Sequence, residues 1–234
     1  SYQNSTSTRL LNERPFSVPF EATGNLSPLP LLLISLLAKD MDLMAPRSEV
    51  VNVNINGLAD GVYVLTEQLD ESTLRNSGNM PGDLYSGDVG RKDYFRDMTN
   101  QLFVAPSLWE KKAINNHYPE ESKKPLERLI YLLNLPDKKL AHAELSSLID
   151  IEAFGRFNAI EILTTTAHVD STHNWRLYYD PMKSKFVPIV WDFVGWHITT
   201  RPKPGKPARL DVISSPLHLF LHENYDFIRA RQRA

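Results

Sequence analysis

The sequence predicts an α+β fold, with strands and helices segregated along the chain rather than alternating as in a doubly wound parallel sheet. Three observations predict it. Residues 50–55 alternate Val and Ile with Asn and run into Asn56-Gly57, the signature of an antiparallel hairpin. Residues 125–135 and 150–165 carry apolar side chains at helical spacing. Residues 175–179 and 186–191 then read as a second hairpin with acidic residues around it.

In chain order, residues 14–20 (RPFSVPF) read as a short strand whose two prolines suit a sheet edge. Residues 23–30 form a loop. Residues 31–44 carry apolar residues at helical spacing and stop before Ala45-Pro46. Val62-Tyr63-Val64-Leu65 is the return strand after Asn56-Gly57, so residues 50–68 form a hairpin with a slightly long turn. Asp70 opens a helix over residues 71–75. Residues 78–90 are rich in Gly and Asp around Asp83-Leu84-Tyr85, and residues 106–121 carry no clear pattern.

Leu126, Leu129, Ile130 and Leu133 mark an amphipathic helix with Pro125 at its start. On the next helix Ile151, Phe154, Phe157, Ile160 and Leu163 are expected to face inward. Residues 180–185 join the two late strands, residues 199–211 are a Pro-rich basic loop, and residues 216–225 begin a last helix. No internal repeat is present.

Composition narrows the function classes. The 234 residues allow one large domain or two small ones, and 42% hydrophobic with 23% charged residues is ordinary for a globular chain. A net charge of -2 argues against nucleic-acid binding by the whole molecule. From Arg201 onward seven Lys/Arg face three Asp/Glu, which reads as a solvated basic face. There is no cysteine, so a disulfide framework and a Cys-based zinc site are excluded. No run approaches the ~20 apolar residues of a membrane span. The opening Ser1-Tyr2-Gln3-Asn4-Ser5 reads as the middle of a longer chain, so a single domain trimmed at both ends is expected.

The stretch that carries chemistry is His168-Val169-Asp170-Ser171-Thr172-His173-Asn174, followed across the late hairpin by Asp192-Phe193. Phosphoryl transfer from ATP needs a carboxylate to orient the attacking hydroxyl, and a carboxylate with an amide oxygen to hold Mg²⁺. Protein kinases meet this with H-R-D, a following Asn, a hairpin and D-F-G. Here the Asp-to-Asn gap is one residue shorter, and Gly195 comes one residue late. Asp170 and Asp192 are therefore expected to face one cleft. Two other readings of the same residues stay open. Asp170 and Asn174 can simply close a turn. Alternatively, His168, Asp170, His173, Asp192 and His197 can ligate a zinc-like ion, although the two early histidines lack the i, i+4 spacing of a helical site.

Three segments together resemble the CotH family of atypical kinases. Residues 51–57 (VNVNING) with 61–70 (GVYVLTEQLD) are similar to its strand, Asn-Gly turn and GxYxxxExxD block. Residues 82–85 (GDLY) are similar to its G-(N/D)-L-Y segment. Residues 173–180 (HNWRLYYD) with 187–192 (VPIVWD) are similar to its HNxxLY and IPWD elements. Order and spacing agree over roughly residues 14–227.

The resemblance implies an atypical protein-kinase-like two-lobed fold. Residues 1–69 would form a small antiparallel-sheet lobe and residues 70–234 a mainly helical large lobe. It implies ATP and Mg²⁺ as cofactors. The partner it implies is a protein substrate, serine-rich and basic, in the coat or envelope, and the setting is the bacterial spore coat or an extracytoplasmic envelope. Carried over by position, Asp170 would be catalytic, and Asn174 and Asp192 would hold the metal. Glu67, Gln68 and Leu69 would offer backbone groups to the adenine, with Arg14 near the phosphates. Departures from the family pattern remove charge from this site: Pro19 and Ser86 stand where basic residues are common, and Val194 where a second Asp is common. Arg91 and Lys92 are further cations that could serve there. A catalytically degenerate relative acting as an adhesin or scaffold is the alternative expectation.

Overall fold

The computed structural model describes residues 16–17, 29–89, 101–113, 122–166, 168–193 and 213–234. Its strands form two antiparallel sheets. The first contains β1 (Phe16–Ser17), β2 (Ser48–Ile55) and β3 (Leu58–Glu67) in the order β1-β3-β2. The second contains β4 (Asp83–Gly87), β5 (Trp109–Ala113), β6 (Trp175–Asp180) and β7 (Lys185–Pro188) in the order β5-β4-β6-β7. The larger C-terminal part is thus a sheet with helices rather than helices alone.

In the first sheet Asn56 and Gly57 have φ of 53° and 85°, the left-handed values a two-residue hairpin turn requires. Ile55 pairs directly with Leu58, so the turn is tight and the return strand starts at Leu58, four residues before the expected Val62. The extra length is absorbed by a register shift between Val53 and Asn54, where Asp60 falls between two pairs beside Gly61. β1 pairs with the far end of β3, Phe16 with Glu67 and Ser17 with Thr66. Arg14 and Pro19 lie outside the described residues.

Helix α1 (Leu29–Asp40) precedes β2 and buries Ile34 and Ala38 in the main core. The short α2 (Glu71–Asn76) is fixed by a reciprocal cap: the Asp70 carboxylate accepts from the Ser72 and Thr73 amides, and the Thr73 hydroxyl accepts from the Asp70 amide.

β4 is the central strand that composition concealed. All five residues are buried, paired with β5 on one side and β6 on the other. Asp83 sits there without exposure because Lys111 of β5 reaches it at 2.9 Å and the Tyr85 hydroxyl donates to it. Only such pairing makes a charge tolerable at that depth.

Helices α3 (Lys124–Leu133), α4 (Lys138–Leu148) and α5 (Ile151–Thr164) follow β5. α4 had no place in the sequence reading. It buries only Ala141, Leu145 and Leu148, and Asp137 caps its first turn. α5 starts on an Asp150 cap and drives Phe154, Phe157 and Ile160 inward, but Leu163 is 63% exposed. The inward face continues from Ile160 and Glu161 to Thr164, which leaves Leu163 outside it, and the helix ends at Thr165 in a left-handed conformation. The expected last helix is two: α6 (Pro216–His222), then α7 (Tyr225–Arg233) restarted by an Asn224 cap.

α7 lies so close to α5 that a Cβ on Gly155 would stand 2.6 Å from Ala230 Cβ and 2.8 Å from the Arg231 amide nitrogen. Gly155→Ala is expected to lower stability by about 1–3 kcal/mol, the usual penalty of overpacking. A thermal or urea melt unchanged from wild type would contradict this.

Candidate functional site

The loop 168–174 leads from α5 into β6, and Asp192 follows β7, so the hairpin β6–β7 returns Asp192 to the loop it left. Several bonds pin the loop in place. The Val89 amide donates to Thr172 O and the Leu102 amide to Ser171 O, each at 2.8 Å. Ser214 Oγ donates to Val169 O at 2.9 Å. Ser214 also contacts His218, which is buried against Glu161 at 3.3 Å, so α5 and α6 support the residue immediately before Asp170.

Asp170 closes the loop on itself. Its Oδ1 receives the Thr172 amide at 2.7 Å, the Thr172 hydroxyl at 2.8 Å, the His173 amide at 3.1 Å and His173 Nδ1 at 2.8 Å. Among the described residues nothing donates to Oδ2, which leaves that oxygen for a solvent-side partner. Partial burial pushes this carboxyl upward, but the donors from Thr172 and His173 outweigh it and hold its pKa below the ordinary value. Asp170 therefore contributes stability above the ordinary carboxylate range that is lost as pH falls through its depressed pKa.

Asp192 mirrors this arrangement. Its Oδ2 accepts from His168 Nδ1 at 3.0 Å and from Asn174 Nδ2 at 3.1 Å. Asn174 Nδ2 also donates to His168 O at 3.0 Å; with acceptors on that side, the amide oxygen is the free end. The rings of His168 and His173 lie 5.8 Å apart. A continuous run Asp170, His173, His168, Asp192 thus joins the two carboxylates, with Asn174 beside the second. Asn174 and Asp192 both have positive φ, 65° and 54°, in a region that Asn and Asp enter more readily than most residues.

The hydrogen bond that His168 donates to Asp192 raises the His168 pKa, with burial opposing it. Stability from this pair is present below about 6.5 and lost as pH rises through the raised value. NMR titration is expected to place His168 above 6.5. Asp192→Asn should bring it back down, since burial then acts with less opposition. A His168 titration indifferent to Asp192→Asn would contradict the pairing.

The Asp192 carboxylate and the free Asn174 amide oxygen are the donor types that suit a hard divalent cation keeping most of its waters. They suit zinc less well. Among the described residues no three His, Cys, Asp or Glu side chains converge as a metal site, because each histidine is turned to its own carboxylate. His197 lies outside the described residues.

The other predicted residues sit elsewhere. Glu67 ends β3 with its side chain buried against Arg47 and Asn76. Its N–H donates to Arg47 O, and the Gln68 carbonyl accepts from Thr73 Oγ1. Leu69 is buried in a small cluster with Met44, Leu84, Tyr178 and Ile189, against which Trp191 packs. The segment 67–69 therefore shares an apolar cluster with the residues leading to Asp192. Arg91, Lys92 and Val194 are outside the described residues. Ser86 lies directly across the strand pair from Arg176.

Two residues at the site had gone unmarked in the sequence reading, Asp88 and Arg176. Asp88 was hidden in a segment that reads as a Gly/Asp loop. Arg176 had a signal: a single charge inside the strand run Trp-Arg-Leu-Tyr-Tyr, where burial demands a partner. A separate open depression near Ser146, Glu152, Asn224 and Arg229 shares no residue with this site.

Among the described residues no helix is long and apolar enough to cross a membrane. The family model described as CotH kinase protein matches residues 32–212, a range that includes Glu67, Asp170, Asn174 and Asp192 but not Arg14. Inner spore coat protein H of Bacillus subtilis (strain 168) is 24% identical over 156 residues, 66% of this chain and 42% of that relative. The chain thus spans less than half of the relative's length.

Proposed function

Because the chain belongs to the CotH kinase protein family, we propose that it is an ATP- and Mg²⁺-dependent phosphotransferase acting on serine-rich, basic proteins of the spore coat or envelope. The observation that supports this best is the Asn174 amide set 3.1 Å from the Asp192 carboxylate, with Asp170 in the same loop. In this reading the first sheet belongs to a small lobe, residues 1–69, and the second sheet with its helices to a large lobe, residues 70–234. The spore-coat setting rests on the name of the Bacillus subtilis relative.

Asn174 and Asp192 would hold Mg²⁺, which supplies charge neutralisation on the phosphate oxygens. Asp170 would receive the acceptor hydroxyl through Oδ2 while Oδ1 stays fixed by the loop. As the seryl oxygen forms its bond to the γ-phosphorus, the bond from that phosphorus to the bridging oxygen breaks, ADP leaves, and the hydroxyl proton passes to Asp170. His173 holds Asp170 Oδ1 and His168 holds Asp192 Oδ2, so each carboxylate keeps one oxygen oriented. Backbone groups of residues 67–69 are proposed for the adenine, and Arg14 for the phosphates.

Ser86 and Pro19 leave fewer cations than three phosphates require, so slow transfer is expected. The experiment is a thermal shift with ATP, with and without Mg²⁺, followed by radiolabelled ATP with a serine-rich basic peptide. A Mg²⁺-dependent shift with transfer supports the proposal. Neither effect would overturn it in favour of a binding-only relative, a reading favoured by the exposed Val50, Ile55, Leu58 and Val62 of the β2–β3 hairpin.

A further inference from the structure

We propose that the Asp88–Arg176 pair is the positioning element that holds Asn174 and Asp192 in their left-handed conformations, so that amide and carboxylate face each other. Asp88 follows β4 and divides its carboxylate between two tasks. Oδ1 accepts the Asn174 backbone N–H at 2.9 Å. Oδ2 meets Arg176 Nη2 at 2.7 Å and accepts from Ser86 Oγ at 3.3 Å.

Arg176 is the fixed end of this clamp. Its side chain is 9% exposed, and its Nη1 donates to Trp175 O at 3.0 Å and to Gly87 O at 3.4 Å. Its guanidinium lies 4.9 Å from the ring centre of Trp191, the residue immediately before Asp192. Its backbone carbonyl accepts the Ile189 amide at 2.9 Å. One side chain therefore touches the group that holds the Asn174 amide and the residue that carries Asp192.

A planar fork is required for this. A guanidinium can donate to Asp88 and to two carbonyls while stacking on an indole, whereas an ammonium cannot do both. Arg176 is buried but the Asp88 side chain is 43% exposed, so the pair adds little stability of its own, and its use is to select one geometry. Here the geometry selected is an unfavourable backbone conformation at two adjacent points. Arg176 stands directly across the strand pair from Ser86.

The functional consequence rests on the phosphotransferase reading; the clamp itself does not. The experiment therefore has two arms on the same chain. Amide hydrogen exchange reads the clamp without metal or nucleotide. Asp88→Ala should speed exchange at Asn174 by about 10–100-fold, the loss of one charge-assisted hydrogen bond. Exchange at Tyr178, inside the strand that follows Asn174, should stay at the wild-type rate, which separates a local role from general weakening. Asp88→Asn keeps an acceptor and should restore most of the protection. Arg176→Lys should not, and both milder variants serve if Asp88→Ala does not fold.

The second arm measures Mn²⁺ binding by electron paramagnetic resonance, with and without ATP. Weaker Mn²⁺ binding in Asp88→Ala and Arg176→Lys, with wild-type binding in Asp88→Asn, supports the clamp. Unchanged Asn174 exchange in Asp88→Ala overturns it, even if the wild type binds Mn²⁺ and ATP normally. A wild type that binds neither overturns the phosphotransferase reading, and exchange alone then decides the clamp.

Discussion

Asp192→Asn is expected to weaken Mg²⁺-dependent ATP binding by at least about 10–100-fold, whereas Asp170→Asn leaves binding near wild type and removes transfer. The first figure is scaled from the loss seen when even a supporting group around a metal is removed. Asp192 is the carboxylate that accepts from the Asn174 side-chain amide, and its oxygens are the natural anchor for a hard cation. The Asn variant keeps its shape but loses the charge that attracts the ion and raises the His168 pKa. Asp170 is held by four bonds in its own loop through one oxygen, and no described group donates to the other. Its task falls in the transition state, where the acceptor proton leaves, so its loss should cost about 10²–10⁴-fold in kcat with little change in nucleotide affinity. Isothermal titration with MgATP and single-turnover transfer measure the two effects separately. Equal loss of binding in both variants would contradict this division of roles.

Phe193→Ala is expected to cost about 3–5 kcal/mol of stability and to erase the metal site with it. Phe193 follows Asp192 and is fully buried. Its ring meets Phe157 of α5 edge-on at 5.0 Å, and Phe157 stacks on Trp175 at 6.0 Å. Trp175 in turn follows Asn174. The two residues proposed for the metal are thus each attached to one end of a single aromatic cluster built on α5. Removing the Phe193 ring leaves a cavity where Asp192 is anchored and leaves its left-handed backbone to the Arg176 contact with Trp191. Urea denaturation reads the first effect, and the Mg²⁺ dependence of the thermal shift, taken well below the variant's midpoint, reads the second. A stable variant with undiminished Mg²⁺ response would show that the Arg176 contact to Trp191 alone fixes Asp192.

Local signals placed much of this architecture. Asn56-Gly57 fixes a hairpin because both positions need left-handed backbone, which few residues accept. Asp70 and Asp150 start helices because each side chain satisfies amides that the first turn leaves open. The inward row Phe154, Phe157, Ile160 follows from helical spacing alone. What stayed hidden was β4, whose Asp, Ser and Gly disfavour a strand. It is made a strand by partners remote in sequence: β5, with the Lys111 that neutralises Asp83, and β6, reached some ninety residues later. α4 was missed for a similar reason, since three buried residues make a weak periodic signal.

The sequence by itself determined the chemistry available: an Asp, an Asn and a second Asp spaced around a hairpin, no cysteine, and a net charge of -2. It also determined the α+β class, because periodicity is a local property of the chain. Only the tertiary structure decided which of those residues meet. His168 and His173 look like metal ligands in sequence, but each is taken by its own carboxylate. Asp88 and Arg176 look like a loop acid and a strand cation, yet they meet because β4 lies beside β6. Hydrogen bonds act over about 3 Å, and whether two groups 88 residues apart come that close is settled by strand pairing, which no local pattern contains.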